Sequence, residues 1–156
     1  MFDAIGDFIQ KGTDFFEDYF QDVRPIPGSV VYCDLFSLEH SGIYIGANRI
    51  IHLAGTGKVE MVSPRQFMSG TLALNIYVSC HNNQAVGNRR VSERAVTQMG
   101  TQRDYNFILE NCHQFTSGCL TGDFRSSDTL FLFVKQNANR QLNATSWRKW
   151  KIDCKD

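Results

Sequence analysis

The sequence predicts an α+β fold in which an antiparallel β-sheet packs against helices. Three observations carry that prediction. Runs rich in β-branched and aromatic residues fall between residues 29 and 79, and helical patterns dominate from residue 92 onward, an order that suits an antiparallel sheet better than alternating βαβ units. Two of these runs, "HSGIYIG" and "RIIHLAG", flank the dipeptide "AN", a hairpin signal. At 156 residues the chain suits one domain with a sizeable core and leaves little room for a second.

The first 23 residues place Phe2, Ile5, Phe8, Ile9, Phe15, Phe16, Tyr19 and Phe20 at roughly helical spacing and predict an N-terminal helical extension, broken at Gly12-Thr13. Asp3, Asp7, Asp14, Glu17, Asp18 and Asp22 against Lys11 give this segment a side-chain net charge of −5, although the whole chain is formally neutral. The apolar stripe reads as packing on the domain, with a peripheral membrane or partner contact as the sharper alternative; the acidic polar face argues against anionic lipid. "RPIPG" at 24–28 ends the helical region, because a proline disfavours helix in the residue before it. Strands are predicted at 29–36, in the two hairpin arms, and at 71–79, where Leu72, Leu74, Ile76 and Val78 share one face. Helices are predicted at 92–100, capped by Ser92 and stopped at Gly100, from Asn111 to Gly122, and across "SSDTLFLFVKQNANRQL", capped by Ser127 or Asp128.

Composition removes several function classes. A formal net charge of zero gives no global electrostatic case for nucleic acid. "MFDAIGDFIQ" lacks the basic start and continuous apolar run of an export signal, and "LFLFV" is far too short to span a bilayer. The five cysteines (33, 80, 112, 119 and 154) are odd in number and contain no CxxC pair. They read as reduced thiols, so the expected location is cytoplasmic.

"ENCHQFTSGC" at 110–119 carries the chemistry. With Asn111 as N-cap, Cys112 falls in the first helical turn, where unpaired amides and the positive dipole end favour a thiolate nucleophile. A buried structural cysteine is the blander reading, and the one preferred for Cys119. His113 does not face Cys112, because successive helix residues diverge by roughly 100°. A base must come from elsewhere in the fold.

The hairpin supplies it. Ile43, Ile45, Ile51 and Leu53 are odd-numbered, while His40, Tyr44, Ile50 and His52 are even. Placing the odd aliphatics on one face of an antiparallel pair requires facing residues whose numbers add to an even total, as with a three-residue loop Gly46-Ala47-Asn48. Ile43 then opposes Ile51, His52 opposes Gly42, and His40 lies diagonally beside His52 with glycine leaving space between the imidazoles. Hydrophobic patterning alone thus groups His40 with His52. His81, in the polar loop "CHNNQ", is expected to be solvated.

"PGSVVYCDLFSLEHSGIYIGANRIIHLAG" and "RDYNFILENCHQFTSGCLTG" together resemble the lecithin:retinol acyltransferase-like family, a permuted branch of the papain-like NlpC/P60 superfamily. "NCHQF", with His after the cysteine, is more similar to bacterial members than to the animal "NCEHF" pattern. The resemblance implies a permuted papain-like (NlpC/P60) fold over residues 27–122, with 1–23 as a helical segment and 123–156 as an extension packed on the same domain. It implies Cys112 as nucleophile, His40 as general base and His52 as the residue orienting His40. No role passes to His113. Leu38 and Glu39 replace the aromatic and the Arg-His pair of animal phospholipase-type members, which bears on phospholipid preference.

The resulting expectation is a cysteine acyltransferase or phospholipase A-like hydrolase, acting on an acyl-bearing substrate with lipid favoured, and needing no cofactor or metal. Alternatives are a peptidase or amidase of the NlpC/P60 type, a binding module retaining the fold, and a zinc site from Cys112, His40 and His52. The last has the ligand types without a close-spaced pair.

Overall fold

The structure is a computed structural model and describes residues 22–35, 38–103 and 108–152. The N-terminal stripe of residues 1–20 and Cys154 lie outside the described residues. Among the described residues, seven strands form one antiparallel sheet: β1 (Val30–Leu35), β2 (Leu38–Gly46), β3 (Arg49–Leu53), β4 (Val59–Val62), β5 (Tyr77–His81), β6 (Gln84–Ala85) and β7 (Ser146–Lys149). They run β4-β3-β2-β1-β5-β6, with β7 also paired to β5. Four helices among the described residues accompany them: α1 (Pro64–Met68), α2 (Arg89–Thr97), α3 (Ile108–Thr121) and α4 (Phe131–Leu142). The α+β class is as predicted.

Alternation along the strands divides the core in two. Val30, Ile43, Ile51 and Leu53 face α3 and α4, where Phe115, Cys119, Leu120, Val134 and Ala138 cover them. Val31, Cys33, Tyr44, Ile50 and Val78 line the other face, under Phe67 of α1 and Trp150. The basic C-terminal stretch is therefore structural, since β7 closes against β5 and Trp150 is buried.

The hairpin register is the predicted one, Ile43 opposite Ile51 and Tyr44 opposite Ile50, reached by a different route. The loop is a two-residue turn, Ala47-Asn48, with φ of 51° and 55°, and a register shift between Tyr44 and Gly46 absorbs the odd residue.

Three boundaries differ from expectation. Strand β5 begins at Tyr77, because the Thr71 hydroxyl donates to Met68 O and accepts from Ala73 N, bending the chain. Leu72 and Leu74 are 73% and 89% exposed, while Ile76 and Val78 are buried. Asn88, not Ser92, caps α2 by accepting from Arg90 N. Leu130 precedes α4 without a side-chain cap bond, and Asp128 accepts instead from Asn137 Nδ2.

Candidate active site

β2 and β3 bring His40 and His52 together. His40 Nε2 lies 2.7 Å from His52 Nδ1, and both rings are buried. Phe67 of α1 stacks on His40, with centroids 4.8 Å apart, and tilts against His52 at 5.5 Å. The space expected beside Gly42 is thus filled. A Cβ there would meet Ile50 Cγ2 at 2.9 Å, Ile51 O at 3.0 Å and Phe67 Cε2 at 3.1 Å. A Gly42→Ala variant is expected to lose about 1–3 kcal/mol of stability by overpacking. Chemical denaturation reads the loss directly, and an unchanged midpoint contradicts this account of the packing.

Glu60 completes the line. β3 and β4 pair His52 with Glu60, and His52 Nε2 lies 3.2 Å from Glu60 Oε1. Sequence reasoning stopped at the hairpin and missed this residue. Carrying the same facing rule one strand further, into "KVEMV", is the step that finds it.

The tautomers follow from the partners. A carboxylate only accepts, so His52 Nε2 carries the proton and donates to Glu60. His52 Nδ1 then accepts from His40 Nε2–H, which leaves His40 Nδ1 as the ring's lone pair and basic nitrogen. Removing Glu60 frees His52 to flip tautomer. Glu60→Ala is expected to slow the reaction about ten- to hundredfold, the worth of one hydrogen bond to a charged group. A rate in the variant equal to wild type breaks the relay.

Cys112 sits on α3 and meets β2 one residue beyond His40. The sulfur is held by the Ser41 amide and hydroxyl and by the amides of His113 and Cys112. Helix α3 starts at Ile108, so Asn111 is its fourth residue and not its cap. Ile108, Leu109 and Glu110 have no helix breaker among them, so the helix extends upstream of Asn111. Cys112 accordingly lies beyond the orphan amides of the first turn.

The profile of the lecithin retinol acyltransferase family matches residues 23–125, a span that includes His40, His52, Glu60 and Cys112. The chain belongs to this family. No curated protein matches it. Membership in the lecithin retinol acyltransferase family assigns the chain an acyltransferase-like function. Among the described residues, no helix is long and apolar enough to cross a membrane.

In this family member Cys112 and the two rings are buried and uncharged. Cys112 is 0% exposed, and burial pushes its thiol up to about 12 against the pull of the Ser41, His113 and Cys112 donors. Burial lowers His40 to about 3, with His52 and His113 opposing a charge there. Burial also lowers His52, while the Glu60 hydrogen bond and charge work the other way. Both rings are therefore neutral at pH 7, and Cys112 rests as a thiol rather than the thiolate expected of a helix N-terminus. The zinc alternative finds no support in the geometry. The facing nitrogens of His40 and His52 share a proton at 2.7 Å, closer than two tetrahedral ligands at about 2.0–2.1 Å from zinc would stand.

His81 lies apart from this group, with Nδ1 3.2 Å from Thr145 Oγ1. His113 is buried on α3 and bonds to Ser41.

Proposed function

We propose that this family member is a cysteine-dependent acyl-transfer enzyme in which Cys112 forms a thioester with the acyl group. The observation that carries the reading is the hydrogen-bonded line Glu60–His52–His40 on three adjacent strands, with the residue after His40 bonded to the Cys112 sulfur. His40 acts as general base at the moment of attack, since no ion pair exists beforehand. The step requires the sulfur, which α3 holds at the Ser41 side of β2, to come within reach of His40 Nδ1; that nitrogen then accepts the thiol proton as sulfur bonds to the acyl carbon, and imidazolium formation is stabilised through His52 by Glu60. The Ser41 and His113 amides face the sulfur and are the donors offered to the developing oxyanion. Water or an amine or alcohol acceptor then takes the acyl group and His40 returns the proton. The catalytic unit spans residues 27–122. The apolar residues of the 1–23 segment offer a peripheral membrane contact, and 123–152 belong to the same domain. An acyl lipid is the favoured donor, in keeping with the lecithin named in the family description. A cytoplasmic setting suits the free, buried thiols at 33, 80, 112 and 119.

Intact-protein mass spectrometry tests this after incubation with phosphatidylcholine vesicles or with a peptide library. A fatty-acyl mass on Cys112, absent from a Cys112→Ala variant, is the expected result. A peptidyl adduct at Cys112 overturns the lipid assignment and keeps acyl transfer. No adduct from either source overturns both.

A further inference from the structure

Helix α2 carries two different charge patterns on neighbouring faces. Arg89 and Glu93 pair across one turn, with Arg89 Nε 2.8 Å from Glu93 Oε1. One residue on, Arg90 and Arg94 repeat the spacing with like charges, an arrangement that costs a helix stability. Both arginines line a cavity of about 340 Å³ between α2 and the C-terminal ends of α3 and α4. Asn88, Val91, Leu120 and Gln141 complete the wall, so every lining side chain is cationic, amide or apolar. None is a carboxylate.

The two guanidiniums are held differently. Arg94 is half-buried and fixed, because Nη1 donates to Cys119 O and Leu120 O, each at 3.1 Å. Gly122, at a φ of +87°, lies against the same group, and a Cβ there would meet Nη2 at 3.3 Å. Among the described residues, Arg94 Nε and Nη2 find no acceptor, and the exposed Arg90 side chain has none either. No buried side-chain nitrogen among the described residues lacks a partner, so these donors reach solvent. Glu93, the acid nearest in sequence, is committed to Arg89. Asn88 Oδ1 accepts from Arg90 N and caps α2, which leaves the Asn88 Nδ2 group to donate. The helix end is thus satisfied by the chain itself, and the free donors all belong to side chains.

Two guanidinium forks and two amides, with no acid among them, suit an anion. A single fork already satisfies a carboxylate. A phosphomonoester brings about three acceptor oxygens and a charge of roughly −1.5 to −2, which matches two forks with the amides as further donors. We propose that the Arg90–Arg94 cavity is a binding site for a phosphomonoester, either a soluble one or the headgroup of a lipid such as phosphatidic acid. Leu120 lies about 12 Å beyond Cys112 along the α3 axis, at about 1.5 Å of rise per residue. The phosphate and the ester carbonyl of one glycerolipid are too few bonds apart to cover that distance. The cavity therefore holds a phosphate other than that of a lipid under attack at Cys112, and the site stands whether or not Cys112 is the nucleophile.

Two binding measurements on the full chain test the site and separate the two sources. The first is isothermal titration calorimetry with inorganic phosphate, at an ionic strength held constant with sodium chloride. The second is co-sedimentation with phosphatidylcholine vesicles, with and without phosphatidic acid. Saturable phosphate binding or phosphatidic acid-dependent sedimentation is expected, weakened roughly tenfold or more in Arg90→Gln and in Arg94→Gln. Arg89→Gln removes the same charge from the same helix outside the cavity. Its binding should stay within about twofold of wild type, since salt screens a distant exposed charge. Binding of inorganic phosphate marks a soluble phosphomonoester as the source, and binding to the vesicles alone marks the lipid headgroup. Arg94 also ties down α3, so Arg90→Gln decides by itself should Arg94→Gln not fold. Binding in neither measurement overturns the site. So does binding that survives Arg90→Gln, or a loss in Arg89→Gln as large as in Arg90→Gln, which marks a general positive field.

Discussion

A His40→Gln variant is expected to form the Cys112 acyl adduct about 10²–10⁴-fold more slowly than wild type, the range that a positioned general base contributes. Glutamine is the informative replacement. His40 Nε2–H donates to His52 Nδ1 in a buried setting, so His40→Ala leaves that nitrogen unsatisfied, at a cost of about 1–3 kcal/mol, and empties the space against Phe67. The glutamine amide can still donate to His52 but has no basic nitrogen. A slow His40→Gln variant with near-normal stability isolates the missing base from a damaged fold. The Glu60 effect should vanish in this background, because Glu60 acts through His52 on a ring no longer there. Additive losses in the Glu60→Ala, His40→Gln double variant contradict the chain of tautomers. An adduct rate above a tenth of wild type in His40→Gln removes His40 from the role of base.

The His40–His52 pairing was legible because side-chain parity in a two-stranded ladder is a rigid constraint, and four aliphatics of one parity leave one register. The means of reaching it was not legible. Two positive-φ residues, Ala47 and Asn48, fit a tight primed turn, and a bulge carries no signal in a sequence whose residues all suit a strand. Leu72 and Leu74 show the converse error. They alternate correctly with Ile76 and Val78, yet one threonine turn at Thr71 takes them out of the sheet, a local bond overriding period-two patterning.

Glu60 and Ser41 were missed for a different reason. Neither belongs to a motif, and each matters only through what lies across from it, on β3 and on α3. The capping box of α1, Ser63 with Gln66, is legible in the sequence, but nothing there says that Phe67 of the same helix packs on both histidines. The protonation state of Cys112 lay beyond sequence altogether. A helix N-terminus would draw a thiol toward thiolate, but α3 begins upstream of Asn111 and Cys112 is fully buried, so burial sets its state.

That same burial fixes how the fold responds to acid. Lowering the pH from 7 to 5 is expected to reduce the unfolding free energy on the order of 4 kcal/mol through His40 and His113 alone. In the unfolded chain both titrate near 6.5; in the fold, burial holds them at about 3 and about 4. Between those limits the unfolded state binds protons that the native state refuses. Stability is therefore complete above about 6.5 and falls as the pH drops toward the folded values, and His52, lowered for the same reason, acts in the same direction. Against a typical domain stability of about 5–15 kcal/mol, this brings the midpoint of acid unfolding within reach of pH 5. The thiols mirror the effect from the alkaline side. Burial raises Cys33 and Cys112 to about 12 and Cys80 to about 11, from 9.0, so their contribution is whole below pH 9 and is lost as the pH climbs toward those values. Urea denaturation at pH 5, 7.5 and 10.5 should give a maximum at the middle value. A midpoint at pH 5 equal to that at 7.5 means that the histidines are solvated in solution, which dismantles the His40–His52–Glu60 line.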